Sequence, residues 1–134
     1  MQPTEIARAW FEMCARGDRD RFGELATDDY VPHGPGGTGT RDDFIEWLQW
    51  YSTSFAEQQP VLEDVLESGD RVAVRYTVRS VYRGGYLNLP AAAQKVHETG
   101  IIIFRFAAGK VAETWFEGND LEVAQQLGGR VETS

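Results

Sequence analysis

The sequence predicts a single α+β domain over residues 1–134, in which a curved antiparallel sheet is covered by helices that form a cone-shaped pocket. Apolar residues recur at helical spacing before Pro60 and alternate with polar ones at a period of two after Val61. A chain of 134 residues with 42% hydrophobic content can bury one core. Helices grouped first and long consecutive strands later are the α+β pattern, with the helices on one face of the sheet. Strands of this length twist and curl, and a helical layer over the concave side leaves a cone that is either packed shut or open as a pocket.

Taken in order, Thr4 to Arg16 carry Ile6, Ala9, Trp10 and Met13 at helical spacing, with Thr4 placed as the N-cap and Gly17 as the stop. Asp20 to Leu25 form a short second helix before an extended piece, Tyr30 to His33, and HGPGGTGT is a loop. Thr40 opens a longer helix, with Asp43 where a capping box puts its acid and Phe44, Trp47, Leu48, Tyr51 and Phe55 as an apolar stripe; Pro60 marks its latest end. Val72, Val74, Tyr76 and Val78 then face one way and Arg71, Arg75, Thr77 and Arg79 the other, a half-buried strand. Gly84 to Pro90 interrupts the pattern. Val96 to Phe106 reads as a strand apolar on both faces, and the turn Ala107-Ala108-Gly109-Lys110 returns it as Val111 to Glu117 in an antiparallel hairpin. A last helix, Asp120 to Leu127, ends at Gly128-Gly129, and the charged tail beyond is expected to fray.

A formal charge of -8 and a pI near 4.7 argue against nucleic-acid binding, which needs clustered Lys and Arg. The single Cys14, spaced with Trp10 and Phe11, reads as a small core residue. The opening MQPTEIARAW has no basic segment followed by an apolar one, and the longest apolar stretch, Gly100 to Gly109, is broken by Arg105. Neither a signal peptide nor a membrane anchor is therefore expected, and a cytoplasmic location follows. His33, His97 and Cys14 are scattered without metal-ligand spacing, and Gly34 to Gly39 lacks the Lys-Ser/Thr of a phosphate loop, so no metal or other cofactor is expected.

From Gly69 to Gly128 the chain carries GDRVAVRYTVRSVYRGGYLNLP, KVHETGIIIFRF, and AGKVAETW followed by NDLEVAQQLG, and upstream lies VPHGPGGTGTRDDF. In their order and spacing these segments resemble the SnoaL-like polyketide cyclase family, a branch of the nuclear transport factor 2-like or ketosteroid isomerase-like fold. The resemblance spans nearly the whole chain. It implies a cystatin-like α+β barrel and cofactor-independent acid–base chemistry on a small hydrophobic, polyketide-like carbonyl compound, such as proton removal next to a carbonyl ahead of an intramolecular aldol closure. It also implies a homodimer through the sheet, with Arg71, Arg75 and Arg79 lining either that surface or a solvated face. The chain departs from the pattern at three places. The usual aspartate falls on Asn119, with Asp120 next to it; a frequent histidine position holds Tyr82; and the usual Pro-Pro-Thr-Gly reads Pro90-Ala91-Ala92-Ala93.

Asp120 is the leading general-base candidate, since a carboxylate at the mouth of an apolar pocket is desolvated toward neutral pKa; alternatively it caps the last helix. His33 is the second, against a loop-anchoring role. Asn119 cannot act as a base but its amide can donate to an enolate oxygen. Tyr82 is expected either to bond a substrate carbonyl or to sit at the rim, and Trp115 and Trp47 are expected to touch the pocket. His97 reads as a surface residue, and Arg105 with Glu113 as a structural ion pair. Three functions compete: a cyclase, isomerase or hydratase; a non-catalytic binder of a hydrophobic small molecule; and an interaction module whose cone is filled.

Overall fold

The computed structural model describes residues 1–132. Helix α1 spans Pro3–Arg16; its N-cap is Gln2, not Thr4, because Pro3, which lacks an N–H and has a helical φ, takes the first helical position. Thr4 instead donates its hydroxyl to Glu67 at 2.8 Å. Gly17 ends the helix at φ 64°, donating to the Met13 carbonyl. Helix α2, Arg19–Leu25, is capped by the Asp18 carboxylate, which accepts from the Arg21 N–H. Helix α3, Arg41–Ser54, begins in the expected Thr40/Asp43 capping box.

Six strands form one sheet in the order β2-β1-β6-β5-β4-β3. Strands β3 (Phe55–Ser68), β4 (Arg71–Tyr82), β5 (Lys95–Ala107) and β6 (Lys110–Gly118) form an antiparallel meander. Phe55, expected at the end of α3, opens β3, and that strand runs straight through Pro60. It can do so because β3 is the sheet edge, where a missing N–H is tolerated, and because a bulge with Glu57 at φ 54° shifts the register just before Pro60. Strand β1 (Ala26–Gly34) lies parallel to β6, so the sheet is not wholly antiparallel. The glycine-rich segment expected as a loop turns back at Gly34 to pair its short β2, Gly37–Thr38, with β1. Edges β2 and β3 do not meet, which leaves a curved, unclosed sheet.

The inner face of β4 buries Val72, Val74, Tyr76, Val78 and Tyr82, as the alternation predicts, while Arg71, Arg75 and Arg79 face outward. Trp10 of α1 packs among Phe22, Tyr30, Phe44 and Phe104 at ring-centroid separations of 5.3–5.8 Å, tying all three N-terminal helices to the sheet. Such aromatic pairs contribute about 0.5–1.5 kcal/mol each beyond area burial. Cys14 is buried in this core, and burial pushes its thiol pKa upward, so it packs as a small apolar group. Helix α4, Asp120–Gln126, packs on β5 through buried Val123 and ends near Gly128. Residues 130–132 form no helix or strand; the rest of the tail expected to fray lies outside the described residues. Among the described residues no helix is long and apolar enough to cross a membrane.

Candidate active site

The concave face of the sheet and helices α1 and α3 enclose a cavity of about 390 Å³. Its body is apolar, walled by Trp10, Phe44, Trp47, Val78, Ile102 and Phe116, and the Gly34–Gly39 segment forms part of its rim. Most small-molecule sites have this character, an apolar chamber with a few placed polar groups. Here those groups include Glu98, Asp120, Tyr51 and Tyr76.

Strand geometry brings Glu98 inside. On β5 the side chains of Val96, Glu98, Ile102 and Phe104 share the inner face, and Gly100 between them leaves room for the Tyr76 hydroxyl of the adjacent strand. Tyr51, in the last turn of α3, donates its hydroxyl to Glu98 Oε2 at 2.8 Å. Burial, and secondarily the charge of Asp120, pushes the Glu98 carboxyl up to about 7, against the opposing effect of the Tyr51 hydrogen bond. The Tyr51 and Tyr76 phenols are both raised, first by burial and then by the Glu98 charge, which keeps them as protonated donors. A neighbouring cavity of about 140 Å³ shares Glu98 and Asp120 and extends toward Trp50, Phe55 and Tyr86.

Asp120 lines both cavities and is otherwise exposed. It is the first residue of α4, whose N-cap is Asn119, so the capping alternative does not describe it. Asn119 does not face the cavity. Its Oδ1 accepts from the Thr99 N–H at 3.0 Å and its Nδ2 donates to the His97 carbonyl at 3.1 Å, clasping the edge of β5. Trp47 lines the cavity at its mouth, 38% exposed and stacked on Tyr51 at 4.6 Å.

Tyr82 and Trp115 do not line the cavity, and His33 borders it with its ring tied to neighbouring side chains. His33 borders the rim, but its imidazole stacks on Trp115 at 5.2 Å and bonds Thr38 through Nδ1 at 2.7 Å and Glu113 through Nε2 at 2.5 Å. Its position across from Trp115 in the β1–β6 register puts both on the outer face, because Thr114 and Phe116, one residue to either side of Trp115, point inward. The Arg71 guanidinium also lies over the Trp115 ring at 4.7 Å, and Arg105 pairs with Glu113 at 2.9 Å, as expected. The Tyr82 hydroxyl is enclosed by the 83–94 connection: it donates to Leu89 O at 2.7 Å and accepts from the Tyr86 N–H at 2.8 Å. His97 is half-buried, with its backbone held by Gln126 and Asn119.

Sequence reasoning passed over Glu98, although the period-two count from Val96 places a charged residue on an otherwise apolar face. No group of three or more His, Cys, Asp or Glu side chains is arranged to hold a metal among the described residues.

A family model described as SnoaL-like polyketide cyclase matches residues 4–127. No curated protein matches the sequence. The structure resembles IdmH from Streptomyces antibioticus, a candidate polyketide cyclase, with 22% identity over 96% of this chain and 100% of that one at a TM-score of 0.84. It also resembles AclR from Streptomyces galilaeus, a candidate hydroxylase, with 22% identity over 99% and 87% of the two chains and a TM-score of 0.82. A SnoaL-like polyketide cyclase from Agrobacterium tumefaciens shares 17% identity over 96% and 100%, at a TM-score of 0.76. At these identities the likeness is one of fold.

Proposed function

This chain belongs to the SnoaL-like polyketide cyclase family, and on that premise we propose that it is a cofactor-independent enzyme moving a proton on a small hydrophobic carbonyl compound. The observation that carries this reading is the Asp120 carboxylate on the wall of an apolar cavity whose aromatic surfaces can hold a flat molecule. Asp120 is the general base: it removes a proton from the carbon next to the carbonyl, and the resulting enol is the nucleophile for an intramolecular aldol closure or the intermediate of an isomerisation. Trp47 and Phe116 position the substrate.

The test is deuterium uptake from D2O at the α carbon of indanone and tetralone, followed by NMR. The wild type is expected to exchange the α protons and Asp120→Asn to lose that activity with little change in melting temperature. Binding without exchange in the wild type rejects catalysis and leaves a binding protein.

A homodimer through the outer face of the sheet belongs to the same proposal. Val61, Leu66 and Ile101 are exposed there at 49%, 69% and 50%, an apolar group that a partner sheet would cover. Sedimentation is expected to give a dimer, and Ile101→Arg a monomer; a monomeric wild type at micromolar concentration removes it.

A further inference from the structure

We propose that Glu98 is the acid of the site, giving its proton to the carbonyl oxygen while Asp120 removes the α proton, with Tyr51 as its positioning residue; this rests on the proton-transfer reading above. Glu98 and Asp120 border the same cavity from β5 and α4, so both reach one bound molecule. Their surroundings separate their roles. Glu98 is half-buried between β5, α1 and α3 while Asp120 is open to solvent, so Glu98 is the carboxyl that burial favours in its protonated form. The titratable groups around Glu98 are Tyr51 from α3, Tyr76 from β4, Cys14 from α1, Tyr86 from the 83–94 connection and Asp120; no cation stands among them to hold Glu98 ionised.

The step balances without a co-reactant. The α C–H bond breaks toward Asp120, its electron pair forms the C=C bond, the carbonyl π pair moves to oxygen, and that oxygen takes the Glu98 proton. The pair starts and ends with one proton and one negative charge. In a following aldol closure the enol carbon attacks a second carbonyl, the enol proton returns to Glu98, and the new alkoxide takes the proton from Asp120. Tyr51 keeps its own proton throughout and fixes the Glu98 carboxyl through the 2.8 Å hydrogen bond.

The experiment is the pH profile of α-proton exchange for the wild type, Glu98→Gln and Tyr51→Phe. The wild-type kcat/KM is expected to fall on the alkaline side through about 7, where Glu98 of the free enzyme loses its proton. Glu98→Gln lowers kcat about a hundredfold, changes KM less than about threefold, and abolishes that alkaline fall. Tyr51→Phe moves the fall to higher pH, because the lost hydrogen bond had favoured the charged carboxylate. Retention of the wild-type alkaline fall in Glu98→Gln, or an unmoved one in Tyr51→Phe, overturns the assignment. A wild type that exchanges, an inactive Asp120→Asn and an unaffected Glu98→Gln overturn this inference alone. A wild type that exchanges no ketone overturns the proton-transfer reading beneath it.

Discussion

Asn119 and Asp120, adjacent in the chain, send their side chains to different places: Asn119 clasps the backbone of β5 at His97 and Thr99, and Asp120 lines the cavity. The clasp ties the start of α4 to the strand that carries Glu98, as Gln126 ties its end, and so helps set the spacing of the two carboxylates.

Replacing that amide tests the clasp. Asn119→Asp keeps the acceptor for the Thr99 N–H but cannot donate to the His97 carbonyl, and it adds a charge beside Asp120. It is expected to cost about 1–3 kcal/mol in urea unfolding and to give no gain in α-proton exchange. A faster Asn119→Asp enzyme would mean that this position reaches substrate.

Tyr82→Phe removes the hydroxyl that holds Leu89 O and the Tyr86 N–H. Stability is expected to drop by about 1–3 kcal/mol, and the 83–94 connection to become the first site of limited proteolysis. Unchanged protease sensitivity would show that other contacts hold this segment.

Two carboxylates give opposite pH signatures. Glu98 is raised from 4.5 to about 7 on folding, so the folded state binds the extra proton; its contribution is present below 4.5 and lost as pH rises toward 7. Glu113 is lowered by its hydrogen bonds from His33 and Arg105, so its contribution is present above 4.5 and lost as pH falls through its folded value. Glu98→Gln is therefore expected to be more stable than the wild type at pH 8, by on the order of 1–3 kcal/mol, and to flatten the decline across neutral pH. Denaturant midpoints from pH 4 to 8 check this, and a Glu98→Gln curve parallel to the wild type would contradict it.

Trp47→Ala opens the mouth of the cavity. Because the indole, though 38% exposed, buries the rest of its surface against Phe44 and Tyr51, the unfolding free energy should fall by about 2–4 kcal/mol, and at a temperature where both proteins are folded indanone affinity should fall about fivefold to tenfold. Titration by tryptophan fluorescence or calorimetry measures it; equal affinity in both proteins would place the ligand deeper than Trp47.

Much of this architecture was legible because it is local. The Thr40/Asp43 box, the inward valines of β4 and the Arg105–Glu113 pair each follow from short-range spacing. What escaped depends on neighbours distant in sequence. Pro60 reads as a boundary unless β3 is known to be an edge. Tyr82 does face inward, yet the 83–94 connection covers that end of the sheet and takes its hydroxyl. Trp115 points outward, one residue out of phase with Thr114 and Phe116, a parity that its pairing with β1 makes plain. Glu98 was masked by the run of apolar residues around it, which drew the strand as buried on both faces.

The parallel pairing of β1 with β6 also orders events in time. Tyr30 meets Thr114 across 84 positions of sequence at 2.6 Å, so the wall beneath Trp10 cannot close until the final strand has been made. Such distant pairing slows folding relative to local hairpins. During synthesis the aromatic cluster of the N-terminal helices therefore waits, exposed, for β6, and this is the interval in which the chain is most open to aggregation or chaperone capture.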